Sequence, residues 1–140
     1  VSRKQHRQRE ACAHGTPPLT PPHGTPPPHA MAEYMAAVDC IVTKAGPGTI
    51  AEACICGLPV MLSGHLPGQE TGNVRHVKKN GFGTYSKEPA AIAKTVSRWL
   101  ASPKTLAKLS NRALRCAAPD ATFRIAQDCV RLLDEGEDNT

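Results

Sequence analysis

Residues 39–57 place an apolar run, a Gly-Pro-Gly turn and a helical stretch in immediate succession, and this feature limits the possible folds most. The run DCIVTK has the β-branched, apolar character of a buried strand. The stretch GTIAEACICG, which follows the turn, is typical of a helix that stops at Gly57. A strand that passes through a tight glycine turn directly into a helix indicates an α/β protein.

The same alternation continues to residue 86. LPVML is a second short apolar strand, and QETGNVRHVKKNG predicts a helix in which Val74 and Val77 share a face and Gly81 forms the stop. FGTYS is the third strand. This strand-helix-strand-helix-strand order predicts a parallel sheet with right-handed crossovers.

Three further helices are expected after the last strand. The first has an apolar face at helical spacing, and the second opens with Ser102 as N-cap and Pro103 at the first helical position. The third repeats that device with Pro119. We expect all three apolar faces to pack in the core; the residues are Ile92, Val96, Trp99 and Leu100, then Leu106, Leu109, Ala113 and Leu114, then Phe123, Ala126, Val130 and Leu133.

Proline divides the 140 residues into two regions. Seven of the thirteen prolines lie between Pro17 and Pro28. Residues 1–29 are therefore expected to be a disordered segment rich in proline and histidine, since proline removes backbone donors and the segment has few apolar side chains to bury. Residues 30–136 form the predicted globular domain, and residues 137–140 a tail. The first residue is Val, so the sequence looks like a fragment or a truncated gene model.

Composition narrows the classes of partner. The net charge of +5 suits an anionic partner, but no basic stripe alternates with the five aromatic residues, which argues against nucleic acid. The histidines of the proline-rich segment have no fixed geometry, so we expect no metal site. No apolar run approaches the ~20 residues of a membrane span, and any membrane contact is expected to be peripheral. The six cysteines contain no CxxC pair and are expected to be free thiols.

Ligands of parallel sheets bind outside the carboxyl ends of the strands. Two loops leave those ends, KAGPGT and SGHLPGQETGN, and they should lie side by side. In the first, Gly46 and Gly48 allow close approach of a ligand, and the helix that begins near Thr49 directs free N–H groups and its positive dipole end to the same place. This predicts an anion site suited to phosphate, and the alternative is a tight turn with no ligand.

Polar side chains near this turn suit a ribose and a sugar. Glu52 lies one helical turn farther on, within reach of the two hydroxyls of a ribose. Gln69, Glu70 and Asn73 begin the next helix, where such side chains also serve as ordinary caps. The alternative to capping is a cluster of donors and acceptors for sugar hydroxyls.

A dinucleotide site is the competing interpretation. GPGTIA matches G-x-G-x-x-A from Gly46 to Ala51, and Glu70 follows 22 residues after Gly48. However, the acidic residue of that fingerprint belongs at the end of the second strand, where Ser63 and Gly64 stand instead. Pro47 also removes a donor from the turn that would hold the pyrophosphate. The dinucleotide interpretation is therefore the weaker one.

The two loops together resemble the donor half of the monogalactosyldiacylglycerol synthases. The stretch from DCIVTKAGPGTIAEA through PGQETGN to NGFGTY carries the resemblance, which covers roughly residues 31–135. The family consists of plant and algal chloroplast galactosyltransferases of glycosyltransferase family 28. The resemblance implies a Rossmann-like parallel sheet flanked by helices, the carboxyl-terminal half of a GT-B glycosyltransferase.

The resemblance also implies a ligand and roles for particular residues. The donor would be UDP-galactose, with its diphosphate on Gly46, Gly48 and Thr49 and its ribose on Glu52. The sugar would be held by the PGQE loop and a nearby amide, and those residues are Pro67, Gly68, Gln69, Glu70 and Asn73. The implied reaction is an inverting transfer of galactose to diacylglycerol, without cofactor or metal.

No catalytic residue is expected in this sequence. The family's amino-terminal domain, which holds the catalytic base and the acceptor site, has no counterpart here, so the chain alone is predicted to be inactive. Two alternatives stay open: a non-catalytic nucleotide-sugar-binding fragment or paralogue, and a related transferase that uses UDP-N-acetylglucosamine or UDP-glucose. The family also implies a peripheral location at the chloroplast envelope membrane.

Overall fold

The computed structural model describes residues 31–137, and the side chains of residues 31–133. The elements in chain order are α1 (Met31–Ala37), β1 (Ile41–Lys44), α2 (Pro47–Ile55), β2 (Val60–Gly64), α3 (Thr71–Asn80), β3 (Gly83–Tyr85), α4 (Pro89–Leu100), α5 (Pro103–Arg115) and α6 (Ala121–Glu137). The predicted proline-rich segment and residues 138–140 lie outside the described residues, so the division at residues 29 and 136 stays a prediction.

The three strands form one parallel sheet in the order β1-β2-β3, which confirms the predicted fold class. Ile41 of β1 aligns with Val60 of β2, and Val60 aligns with Gly83 of β3. The central strand is apolar because it is covered on both faces: Val60, Met61 and Leu62 are fully buried. The carboxyl ends of all three strands therefore meet at one edge of the sheet.

The helix boundaries follow the local signals in the sequence. Proline stands at the first helical position of α2, α4 and α5, and the Ser102 hydroxyl accepts a hydrogen bond from the Thr105 N–H at 3.3 Å. Gly57 and Gly81 adopt left-handed φ angles of 66° and 68° at the ends of α2 and α3, as predicted. Pro119 is the exception, because α6 begins two residues after it, at Ala121.

The core lies between the sheet and the helices that pack on it. Phe82, Met35 and Leu58 are among its largest buried side chains, and Val77 of α3 is fully buried. Helix α5 packs against α2, where Leu114 and Ser110 lie against Gly57. Helix α4 contacts both α5 and β2, and it carries Trp99, which is 7 % exposed and is the only tryptophan in the sequence. Leu100, which was also expected in the core, is 51 % exposed, so that part of the prediction is wrong.

Helix α6 does not pack as predicted. Its apolar face was expected to join the core, but Phe123, Val130 and Leu133 are 57 to 70 % exposed, and Ala126 is exposed as well. The periodicity was correct, since the element is a helix of 17 residues. An apolar periodicity predicts a helix, but it does not predict whether another element within residues 31–137 packs against the apolar face.

Free thiols were expected throughout. Among residues 31–137 this is confirmed for Cys40, Cys54, Cys116 and Cys129. It is wrong for Cys56, which is disulfide-bonded. No helix in the described part of the chain is long and apolar enough to span a membrane.

Candidate donor site at the carboxyl edge of the sheet

The first predicted loop forms the start of α2. Gly46 is the N-cap and has an extended backbone, with φ −69° and ψ 131°, and no side chain caps the helix. The N–H groups of a helix's first turn have no intrahelical acceptor, and Pro47 has no N–H, so those of Gly48 and Thr49 remain for a ligand. Gly48 is exposed and Thr49 is half-buried. The anion site itself stays a prediction.

Gly46 leaves space for the end of the Lys44 side chain, and its backbone conformation is one that any residue adopts. A Cβ atom built on Gly46 would lie 3.2 Å from the Lys44 Nζ and 3.9 Å from the Thr49 Oγ1. A Cβ atom on Gly48 would meet nothing within 4 Å, so any side chain there would project into the open space above the turn. Both glycines therefore leave room around the first turn of α2.

A salt bridge joins this turn to the second predicted loop. The Lys44 Nζ donates to the Glu70 Oε1 at 2.6 Å, and the Leu66 N–H donates to the Glu70 Oε2 at 2.8 Å. The Glu70 side chain is 7 % exposed, whereas that of Lys44 is 63 % exposed. The hydrogen bond from Lys44, followed by that from Leu66, holds the pKa of Glu70 below its ordinary value.

Lys44 was missed by the sequence-based prediction. It is the last residue of β1 and directly precedes the glycine turn, so its position at the carboxyl end of a strand was the available signal. Its partner, Glu70, lies 26 residues farther along the chain. Only the packing of β1 beside β2 brings the two side chains together.

Asn73 forms a second link between the loops. Its Nδ2 donates to the Ala45 carbonyl at 2.9 Å, from the first turn of α3 to the residue after β1. The Ala45 N–H donates in turn to the Gly64 carbonyl at 2.8 Å. The two loops therefore lie side by side, as predicted.

The tip of the second loop faces solvent. Pro67, Gly68 and Gln69 are exposed, and Gly68 has a left-handed φ of 85°, which glycine adopts without steric cost. The Glu70 N–H donates to the Leu66 carbonyl at 2.9 Å and closes the loop at its base. The tip is thus fixed at its base and free to contact a ligand.

A second pair that the sequence-based prediction missed lies at the same edge. The His65 Nδ1 and the Tyr85 hydroxyl are 3.2 Å apart, and their rings meet edge to face at 5.3 Å. His65 follows β2 and Tyr85 ends β3, so both positions could have been found from the strand ends. Both residues are half-buried.

The contacts bring some of the predicted site residues together and leave others apart. Gly46, Glu70 and Asn73 are linked through Lys44 and Ala45. Glu52 is exposed on α2, one turn beyond the N-cap. Among the side-chain contacts seen in residues 31–133, none joins Glu52 or Gln69 to the linked group. In the same region no three His, Cys, Asp or Glu side chains are close enough to hold a metal ion.

Comparison with known proteins identifies a family. Residues 4–124 match the glycosyltransferase family 28 C-terminal domain. The chain is 50 % identical over 103 residues to monogalactosyldiacylglycerol synthase 3, chloroplastic, of Arabidopsis thaliana, an alignment that covers 73 % of this chain and 22 % of that protein.

Two further relatives give a similar result. Identity is 54 % over 105 residues with monogalactosyldiacylglycerol synthase, chloroplastic, of Spinacia oleracea, and 53 % over 105 residues with a probable monogalactosyldiacylglycerol synthase, chloroplastic, of Glycine max. Each alignment covers 74 % of this chain and 20 % of the relative. The chain thus spans about a fifth of the length of the curated relatives it matches.

Proposed function

The chain belongs to the glycosyltransferase family 28 C-terminal domain family, and from this premise we propose that it binds the UDP-galactose donor of a galactosyltransferase that produces monogalactosyldiacylglycerol. The observation that carries the proposal is the joining of two loops at the carboxyl edge of the sheet by the Lys44–Glu70 salt bridge. The diphosphate binds the free N–H groups at the start of α2, with Gly46, Gly48 and Thr49, because a helix N-terminus favours an anion.

The remaining donor groups lie along the same edge. Glu52 accepts the ribose hydroxyls, and the exposed tip Pro67, Gly68 and Gln69, together with Asn73, contacts the sugar. Glu70, to which the resemblance also assigns a sugar contact, is held in the salt bridge with Lys44.

The proposed reaction is an inverting displacement. The 3-hydroxyl oxygen of diacylglycerol forms a bond to the anomeric carbon of galactose, and the bond from that carbon to the diphosphate oxygen breaks, so that UDP leaves with the electron pair. The hydroxyl proton passes to a base that the family resemblance assigns to the amino-terminal domain. The N–H groups of the first turn of α2 stabilise the charge that develops on the leaving phosphate, so they contribute more in the transition state than in the ground state.

A calorimetric titration of the full 140-residue chain tests the donor. We expect it to bind UDP-galactose and UDP, to bind UDP-N-acetylglucosamine more weakly, and not to bind NADH. Tighter binding of UDP-N-acetylglucosamine would favour the related transferase. If neither UDP nor any UDP-sugar binds, the proposed donor function is wrong.

The charge distribution supports peripheral contact with an anionic membrane. Residues 71–118 contain ten basic residues and one acidic residue, Glu88, whereas the rest of the sequence contains seven basic and eleven acidic residues. All ten basic side chains are exposed, and helices α3, α4 and α5 contain no acidic residue. The three helices are linked at the surface of the domain, because α4 packs on α5 and Arg112 of α5 donates to the Gly81 carbonyl at the end of α3. We refer to their exposed surface as the cationic face.

The cationic face suits a lipid surface better than nucleic acid. Its helices expose no Phe, Tyr or Trp ring on which bases could stack, since Trp99 is buried. Lys and Arg near an anionic bilayer contribute about 1 kcal/mol each. The relatives are named chloroplastic, which supports a location in the chloroplast. A peripheral position at the envelope membrane is what the family resemblance implies.

Vesicle co-sedimentation tests the membrane contact. Substitution of Lys104 and Lys108 by Gln should lower the partition coefficient on anionic vesicles by roughly tenfold or more, at about 1 kcal/mol per lysine. The matched control substitutes Arg124 and Arg131 of α6, which form ion pairs with Asp120 and Asp128. Equal losses in both variants, or no preference for anionic over neutral vesicles, would contradict the proposal.

A further inference from the structure

We propose that Lys44 contacts the donor diphosphate and that Glu70 is the positioning residue that holds the Lys44 ammonium over the glycine turn, rather than a ligand of the sugar. The inference rests on the proposed donor function and specifies the roles of two residues in it. Glu70 is then no longer one of the residues that contact the sugar, although the family resemblance implies that it is.

The Lys44 ammonium lies next to the glycine turn. Its Nζ lies 3.2 Å from where a Cβ atom of Gly46 would be, and that point lies 3.9 Å from the Thr49 hydroxyl. The ammonium therefore stands beside the first turn of α2, the turn that carries the free N–H groups of Gly48 and Thr49. A phosphate that reaches those N–H groups comes within reach of the ammonium as well.

Lys44 has N–H donors that the salt bridge with Glu70 does not use. An ammonium group has three N–H donors, and Glu70 accepts from one of them. The side chain is 63 % exposed, so the other two donors are open to an incoming ligand. Hydrogen bonds from an ammonium to a phosphate oxygen are charge-assisted and stronger than bonds between neutral groups.

The Glu70 carboxylate is poorly accessible to a sugar. One carboxylate oxygen accepts from Lys44 and the other from the Leu66 N–H, at 2.6 and 2.8 Å. A carboxylate has further lone pairs, but a side chain that is only 7 % exposed offers a sugar hydroxyl little access to them. The geometry therefore gives Glu70 a role through Lys44 and not through direct contact with the sugar.

The two assignments differ in a measurable way. A sugar ligand affects the binding of UDP-galactose and leaves that of UDP unchanged. A residue that positions a phosphate-binding lysine affects both ligands by the same factor. Calorimetric titration of the full chain with UDP and with UDP-galactose separates these outcomes.

Four variants complete the experiment. Lys44→Met should weaken both ligands roughly 10- to 100-fold, the effect of losing a charged hydrogen bond. Lys44→Arg, which keeps the cation, should restore most of the affinity, and Glu70→Gln should weaken both ligands equally. Lys79→Met removes an exposed lysine from the last turn of α3 and should change neither affinity, so it controls for net charge.

The folding of the variants is controlled separately. Lys44→Met leaves the buried Glu70 carboxylate without its cation, which can destabilise the protein. The double variant Lys44→Met with Glu70→Gln removes both charges and should bind both ligands as weakly as Lys44→Met.

The inference is overturned if Glu70→Gln weakens UDP-galactose but not UDP, which would make Glu70 a sugar ligand and leave the donor function intact. Unchanged affinity of folded Lys44→Met for UDP would overturn it too. If the unmodified chain binds neither ligand, the proposed donor function fails and this inference fails with it.

Discussion

At the scale of single residues, Gly83 shows how closely β3 approaches β2. A Cβ atom on Gly83 would collide with the backbone carbonyl of Val60 and lie 2.6 Å from a methyl group of Val77. The collision partner is backbone and cannot move aside as a flexible side chain would. We expect Gly83→Ala to lower the free energy of unfolding by about 1–3 kcal/mol, as overpacking does, measured by urea denaturation followed by circular dichroism.

Gly72 provides the matched control for this prediction. A Cβ atom there meets nothing within 4 Å, and the residue lies in helix α3. Gly72→Ala should be neutral or stabilise the protein by up to about 1 kcal/mol, because alanine is the better helix former. Equal losses of stability in the two variants would show that the Gly83 contact is not the cause.

Glu70 makes the stability of the protein depend on pH in the acidic range. Its pKa is lowered in the folded state, mainly by the hydrogen bond from Lys44, so the folded state favours the ionised form. Its contribution is therefore complete above the ordinary carboxyl pKa and is lost as the pH falls through the lowered value. We expect the difference in stability between the unmodified chain and Glu70→Gln to shrink on acidification. A difference that stays constant from neutral to acidic pH would contradict this.

At the scale of elements, α6 differs from every other long helix of the described chain. Its apolar side chains Phe123, Ile125, Val130, Leu132 and Leu133 are all more than half exposed. A helix of 17 residues without tertiary packing is only marginally stable in water. In dilute solution we expect its backbone amides to exchange with deuterium much faster than those of the buried strand β2.

Hydrogen exchange read by mass spectrometry tests this expectation. Protection of α6 equal to that of β2 would contradict it. A series of protein concentrations is the control, because self-association through the apolar side chains would raise the protection as the concentration rises.

Most element boundaries could be predicted because their signals are local. Proline at a helix start, Ser102 as an N-cap and glycine at a helix stop act within a few residues. The exposure of α6 could not be predicted. An apolar periodicity shows which face of a helix would be buried, but not whether another element packs against it. The Lys44–Glu70 pair could not be predicted either. The two residues are 26 positions apart in the sequence, and only the folded sheet brings their side chains into contact.

At the scale of the whole molecule, the chain corresponds to about a fifth of its relatives' length. Residues 4–124 match the C-terminal domain of the family, and the family resemblance assigns the acceptor site and the catalytic base to the amino-terminal domain. We therefore expect the isolated chain to transfer no galactose to diacylglycerol above the rate without protein. Radiolabelled UDP-galactose and extraction of the lipid product measure this, and product formed by the isolated chain would contradict the expectation.

Basic and acidic residues are unevenly distributed over the molecule. The net charge of +5 is modest, and from composition alone it selected no partner. Residues 71–118 nevertheless contain ten basic residues and one acidic residue, and in this region α4 packs on α5 and Arg112 links α5 to the end of α3. Net charge is a sum over the chain, whereas a partner meets only one side of it.

The single tryptophan has a practical consequence for all of these measurements. Trp99 is buried on α4, which contacts both β2 and α5, so the intrinsic fluorescence of the chain comes chiefly from one emitter within the packed domain. Its emission should shift to longer wavelength when that packing is lost and water reaches the indole ring. The signal will report whether a variant has folded, and it will be insensitive to the fraying of α6.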